Sequence, residues 1–245
     1  MLRASMGADD TEAARRIAEL SAELAAANRE LEVFASAVSH DLRAPLRAID
    51  SFARALAEDH GAALGDEGGL FVTRIVANAE RMQQQIAELL GLARLVRSEL
   101  VRRPVDLSAV AAAVLDGLRR DQPGRAVAAH VAPGLRADAD PRLIEILLGA
   151  LLGNAWKFTG GRSDAVIAFA ADDGAFVIRD NGAGFDMASA ERLGRPFHRL
   201  HHQHEFAGSG LGLATAQRIV ARHGGRLWFD AAPDQGARFF FTLTS

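Results

Sequence analysis

His40 stands directly before an aspartate, in the run Ser39-His40-Asp41-Leu42-Arg43-Ala44-Pro45. A neutral imidazole is a good nucleophile toward phosphorus, and a neighbouring carboxylate can orient or accept the proton on one ring nitrogen while the other attacks. Taken alone, a surface histidine beside an aspartate is usually only solvated. Three other segments carry groups suited to a nucleotide. Asn154 offers a neutral oxygen that suits Mg²⁺, and Lys157, three residues on along the same helical face, can reach phosphate oxygens. In Asp180-Asn181-Gly182-Ala183-Gly184 a carboxylate can take the exocyclic amine of adenine, while Gly182 and Gly184 let the backbone approach a flat ring. Gly208, Gly210, Leu211 and Gly212 precede a helix, where unpaired amides and the helix dipole favour phosphate. Each segment alone has an ordinary reading: a helical Asn bonding locally, a turn, a weak glycine repeat.

These groups need elements to hold them. From Ile17 the apolar residues Leu20, Leu24, Ala27, Leu31, Phe34 and Val38 follow at steps of three and four, the spacing of a coiled-coil seam. His40 lies two residues past this seam, off the dimerising face, and Pro45 is expected to kink the helix just after it. A second run, Val72, Ile75, Ala79, Met82, Ile86, Leu89, Ala93 and Val96, follows a breaker-rich stretch at 60–69. Together they predict a helical hairpin, and two hairpins paired into a four-helix bundle cover both stripes. Beyond Pro104 the pattern becomes mixed: helices at 108–119, 141–158 and 211–223, and strands at 126–131, 165–170, 176–180, 227–230 and 237–243. This predicts an α+β layer of helices on one sheet.

Composition narrows the classes. A net charge of -3 with scattered arginines gives no footprint for nucleic acid. There is no apolar run long enough to insert into a membrane and no signal-like N-terminus, which predicts a cytoplasmic location. The absence of cysteine removes disulfides, thiolate metal sites and a cysteine nucleophile. His201, His202 and His204 lack the spacing of a zinc site and read as a solvated segment.

Residues 34–49, FASAVSHDLRAPLRAI, resemble the phosphoacceptor box of sensor histidine kinases, especially those of phytochrome-like receptors. LLGNAWKF at 151–158, DNGAG at 180–184, and the pair RPFHRL at 195–200 and GSGLGL at 208–213 resemble that family's nucleotide boxes, in the same order. The likeness covers residues 31–243. It implies a dimeric four-helix bundle followed by an α+β sandwich of the Bergerat (GHKL) type, autophosphorylation of His40 from Mg-ATP with Asp41 assisting, and transfer to an aspartate on a response-regulator receiver domain. It assigns Asp180 to adenine and Asn154 to Mg²⁺. The segment between the last two boxes resembles a lid over ATP, in which Arg199 neutralises the γ-phosphate and Phe197 anchors the lid. The expected organisation is a flexible 1–10, a signalling coiled coil at 11–38, a dimerisation and phosphotransfer domain at 31–101 and a catalytic domain at 102–245, with a hinge at 97–104. The short N-terminus predicts either a fragment of a longer receptor or control by a separate sensor protein. Two positions depart from the family pattern: Ala150, where a second asparagine is usual one turn before Asn154, and Ala44, where many members carry Thr or Asn. Ala150 motivates the alternative of a nucleotide-holding scaffold with weak turnover. A general ATPase of the same fold would lack the histidine helix.

Overall fold

The computed structural model describes residues 2–95, 99–193 and 210–244; along the first 40 residues most side chains, His40 among them, lie outside the description. The chain divides into two compact units, Met1–Arg94 and Leu95–Ser245. Among the described residues no helix is long and apolar enough to cross a membrane.

In the first unit, α1 runs over Leu2–Leu95 and leaves helical geometry at Gly65, where φ is 61° and ψ is -176°. Within the breaker-rich stretch 60–69, helix continues on both sides of a single residue in the left-handed region, Gly65. Pro45 likewise sits inside continuous helix. Arg54 nevertheless forms an ion pair with Glu80, 26 residues away. On a straight helix that separation spans about 39 Å, so the chain folds back at Gly65 into the expected hairpin. Burial then alternates along both legs. Leu46, Ala53, Val72, Ala79 and Ile86 are buried, whereas the residues interleaved with them at steps of three and four, Leu42, Ile49, Leu56, Ile75 and Met82, are exposed. One half of each stripe closes the hairpin, and the other half faces outward.

The second unit opens with β1 (Arg103–Asp106), followed by α2 (Leu107–Asp121), β2 (Ala128–Val131), β3 (Arg136–Ala139) and α3 (Pro141–Phe158). After these come β4 (Val166–Asp172), β5 (Ala175–Asp180), a 3-10 turn at Met187–Arg192, α4 (Gly212–Arg222), β6 (Leu227–Ala232) and β7 (Gly236–Phe241). Five strands form one sheet in the order β2-β4-β5-β7-β6, with β2 parallel to β4 and the other pairs antiparallel. Its inner face presents Ile167, Phe169, Ile178, Phe239 and Phe241 to the helices. The core is centred on α3, where Leu143, Ile144, Leu147, Leu148, Leu151, Leu152, Ala155 and Trp156 are all buried. These residues recur in adjacent pairs every four positions and form one broad apolar face, and α3 packs between α2 and α4. Pro141 at its first turn and the Asp140 carboxylate as N-cap fix where it starts. The antiparallel pair of β1 and β3, absent from the sequence-based expectation, places Pro104 opposite Asp138. Residues 101–104, assigned to a hinge by sequence, are thus held within the second unit: Val101 N–H donates to Asp140 at 3.2 Å, and β1 begins at Arg103.

Candidate functional site

Alternation along β5 turns Phe176, Ile178 and Asp180 toward the helices, so the strand ends with a buried carboxylate. Burial pushes Asp180 up to about 6, against the opposing effect of backbone hydrogen bonds from Gly182 and Ala237. The Gly182 N–H donates to it at 2.8 Å. The loop that follows is wedged between two elements. A Cβ on Gly182 would lie 2.5 Å from the carbonyl oxygen of Phe158, the last residue of α3. On the other side, Gly184 has φ of +58°, and a Cβ there would fall 1.9 Å from the Ala232 carbonyl oxygen. Only glycine meets both conditions. The Ala183 N–H donates to Phe158 O at 3.1 Å, and the Asp234 N–H donates to Ala183 O at 2.7 Å.

Sequence reasoning passed over the braces of this loop. The Asn181 side chain behaves as an added peptide group: Oδ1 accepts from Val166 N–H at 2.8 Å, and Nδ2 donates to Asp164 O at 2.8 Å. Arg162 donates to the carbonyls of Gly182 and Asp234. An asparagine after aspartate reads as turn chemistry, and its partners 15 and 17 residues back leave no local signal.

Asn154 and Lys157 lie half-buried on the C-terminal half of α3, and the Lys157 ammonium sits 4.1 Å from the centre of the Phe158 ring. Gly210 has φ of +80°, Leu211 is buried, and Gly212 opens α4. Among the described residues no side chain caps α4, and a Cβ on Gly212 would lie 3.8 Å from that of Ala150, one turn before Asn154. The first turn of a helix presents amides that an anion can satisfy. The fold therefore joins three of the sequence-assigned segments around α3: the Asp180 loop at its end, Asn154 and Lys157 on its body, and the start of α4 against Ala150. For a divalent cation this set fits with Asn154 as one neutral oxygen; Ala150 supplies only a methyl group, so phosphate and water would complete the shell. Phe197, Arg199, Gly208 and the three histidines at 201, 202 and 204 lie outside the described residues.

In the first unit His40 lies in the leg of α1 before Gly65. Around it Ser39 is buried, while Val38, Asp41 and Leu42 are exposed.

Two family models match the chain. Residues 139–245 match the histidine kinase-, DNA gyrase B- and HSP90-like ATPase family, and residues 30–97 match the His Kinase A (phospho-acceptor) domain. Cyanobacterial phytochrome B from Nostoc sp. is 31% identical over 237 residues, covering 94% of this chain and 31% of its own length. The methanogenesis regulatory histidine kinase FilI of Methanothrix harundinacea is 31% identical over 250 residues, covering 99% of this chain and 28% of its own. The chain thus spans about a third of the length of these relatives. Among solved structures, full-length ShkA in complex with AMPPNP superposes with a TM-score of 0.60 at 28% identity, covering 86% of this chain and 46% of that one. A phospho-acceptor segment containing His40 and an ATPase segment containing the Asp180 loop, in this order in one chain, make it a member of the sensor histidine kinases, of which it is the transmitter core.

Proposed function

We propose that the chain phosphorylates its own His40 from Mg-ATP, as a homodimer, and passes the phosphoryl group to an aspartate on the receiver domain of a response regulator. The observation that carries this reading is the Asp180 loop, buried, glycine-lined and joined to α3, in the same chain as a phospho-acceptor helix. ATP supplies the reactive phosphoanhydride, and a divalent cation offsets the charge of its phosphates. The Asp180 carboxylate, still ionised at neutral pH, accepts from the adenine amine, and Lys157 and the opening amides of α4 neutralise phosphate oxygens. Asn154 offers one oxygen to the cation. Arg199 and Phe197 take the lid roles that the family resemblance gives them. The His40 ring nitrogen forms the new N–P bond as the bond from the γ-phosphorus to the bridging oxygen breaks, ADP leaves, and Asp41 orients or takes the proton from the other ring nitrogen.

The outward-facing stripe of Leu42, Ile49, Leu56, Ile75 and Met82, with Phe52 76% exposed, supports dimerisation of the hairpin into a four-helix bundle. In this reading 31–101 is the dimerisation and phosphotransfer domain and 102–245 the catalytic domain, working in the cytoplasm under an upstream sensory domain or a separate sensor protein. The test is incubation with γ-labelled ATP and Mg²⁺. The label is expected on protein, labile to acid and stable to base, and absent from His40→Gln, which still binds nucleotide. A label that persists in His40→Gln refutes the assignment of the nucleophile.

A further inference from the structure

The entering segment of the second unit, Val101 and Arg102, is fastened to the far ends of both nucleotide helices around two buried residues, Asp140 and His223. This histidine caps the C-terminus of α4 and has no exposed surface. Its Nδ1 lies 2.8 Å from the Ile219 carbonyl oxygen, which requires the proton on Nδ1. Its Nε2 accepts the Asp140 N–H at 3.1 Å. Asp140 in turn caps α3, with its carboxylate accepting from Arg142 N–H at 3.0 Å and Val101 N–H at 3.2 Å. Arg102 then donates to the His223 carbonyl at 3.1 Å and to the carbonyl of Thr244, while the Thr244 N–H donates to His223 O at 3.2 Å.

Four stretches remote in sequence meet at this point: the entering segment, the start of α3, the end of α4 and the last residues described. Directed hydrogen bonds join the entering segment and the end of α4 to each of the other stretches, two of them to the same His223 oxygen. The nucleotide groups lie on the same two helices, with Asn154 and Lys157 farther along α3 and Gly212 at the opposite end of α4.

We propose that Arg102 and His223 are positioning residues for phosphoryl transfer, coupling the entering segment, α3 and α4 so that they move as one body and any pivot between the units lies before Val101. Motion delivered along the chain then reaches the nucleotide helices without slack. A histidine and an arginine serving only the fold would lower stability and nucleotide affinity together. A coupling hub instead affects how often bound ATP is presented to the acceptor.

This inference rests on the kinase reading, and the experiment separates the two. In the full-length chain, Arg102→Met keeps the side-chain stem and removes both donors. Autophosphorylation at saturating Mg-ATP is expected to fall about tenfold, with the AMPPNP dissociation constant within about twofold of the parent. The thermal midpoint should stay within about 2 °C. Arg102→Lys restores much of the rate, and His223→Ala lowers it at least as far as Arg102→Met. Amide hydrogen exchange at the start of α3 should quicken in Arg102→Met. An unchanged rate, a rate that falls in parallel with AMPPNP affinity and thermal midpoint, or unchanged exchange overturns the hub. A parent chain that binds AMPPNP and takes no label overturns the kinase reading instead, and the hub is then judged on exchange alone.

Discussion

The two units treat their apolar residues in opposite ways. Around α3 the second unit buries residues from all three of its helices and the inner face of its sheet in one core. The hairpin buries only alternate members of its stripe and leaves Ile49, Phe52, Leu56, Phe71 and Ile75 exposed. One unit completes its core from its own chain, and the other presents half of a core. Apolar residues at helical spacing therefore have different consequences: in α3 they are enclosed within one unit, and in α1 they leave an apolar face exposed, the face proposed to meet a second copy.

The largest effect that would break this contrast is a cavity in the self-contained core. Leu147→Ala should destabilise the second unit by about 2–5 kcal/mol without changing oligomeric state, as read by chemical denaturation and light scattering. The converse is Phe52→Glu. A charge placed in the outward stripe should weaken dimerisation by about 3 kcal/mol, roughly two orders of magnitude in dissociation constant, while AMPPNP binding is retained. Sedimentation of an unchanged dimer would remove this face from the interface.

A third substitution sharpens the contrast within the second unit, where one buried group serves function against stability. Desolvation raises Asp180 from 3.8 to about 6, which represents a penalty of at most about 3 kcal/mol at neutral pH. Asp180→Asn should raise the thermal midpoint and weaken AMPPNP binding, both measurable in one thermal-shift titration. In the parent chain, nucleotide affinity should decline as pH drops through about 6, because the protonated acid no longer offers two acceptor oxygens. Stability moves the other way: the folded state takes up a proton at Asp180 before the unfolded chain does, so the penalty of this group is relieved progressively as pH falls from about 6 to 3.8. His223 opposes it. Burial lowers its affinity for a proton, so the unfolded chain protonates first and stability drains away below its ordinary value of 6.5. In Asp180→Asn the acid-side losses should remain, that of His223 below 6.5 and that of Asp140, held down at about 2, below 3.8.

How much of this was legible depends on how local each signal is. Helix α3 was readable to the residue because Asp140-Pro141 marks its start and its apolar run is long. The hairpin β4–β5 was readable from alternation around Asp-Asp-Gly. Strands β1 and β3 were not: each has a single buried residue, Val105 and Ala139, and a proline or charged residues elsewhere, so no period emerges. Gly65 was hidden among the other glycines of 61–69, and nothing local distinguishes the one that turns the chain. In the site, Asp180, Gly182, Gly184, Asn154 and Gly212 stand out by type and motif. Asn181 and Arg162 act through distant backbone groups, and the His223 hub joins residues 83 and 121 positions apart, which a single sequence does not bring together.

In the proposed reaction, nucleotide held at the Asp180 loop phosphorylates His40. The most direct measurement is site mapping of the phosphoryl group by mass spectrometry, under conditions that preserve phosphoramidates, after brief exposure to Mg-ATP. The expected result is a single phosphohistidine at His40, reduced when Asp180→Asn weakens nucleotide binding. Phosphate on a hydroxyl side chain or another histidine, or none at all from a chain that binds ATP, would contradict it.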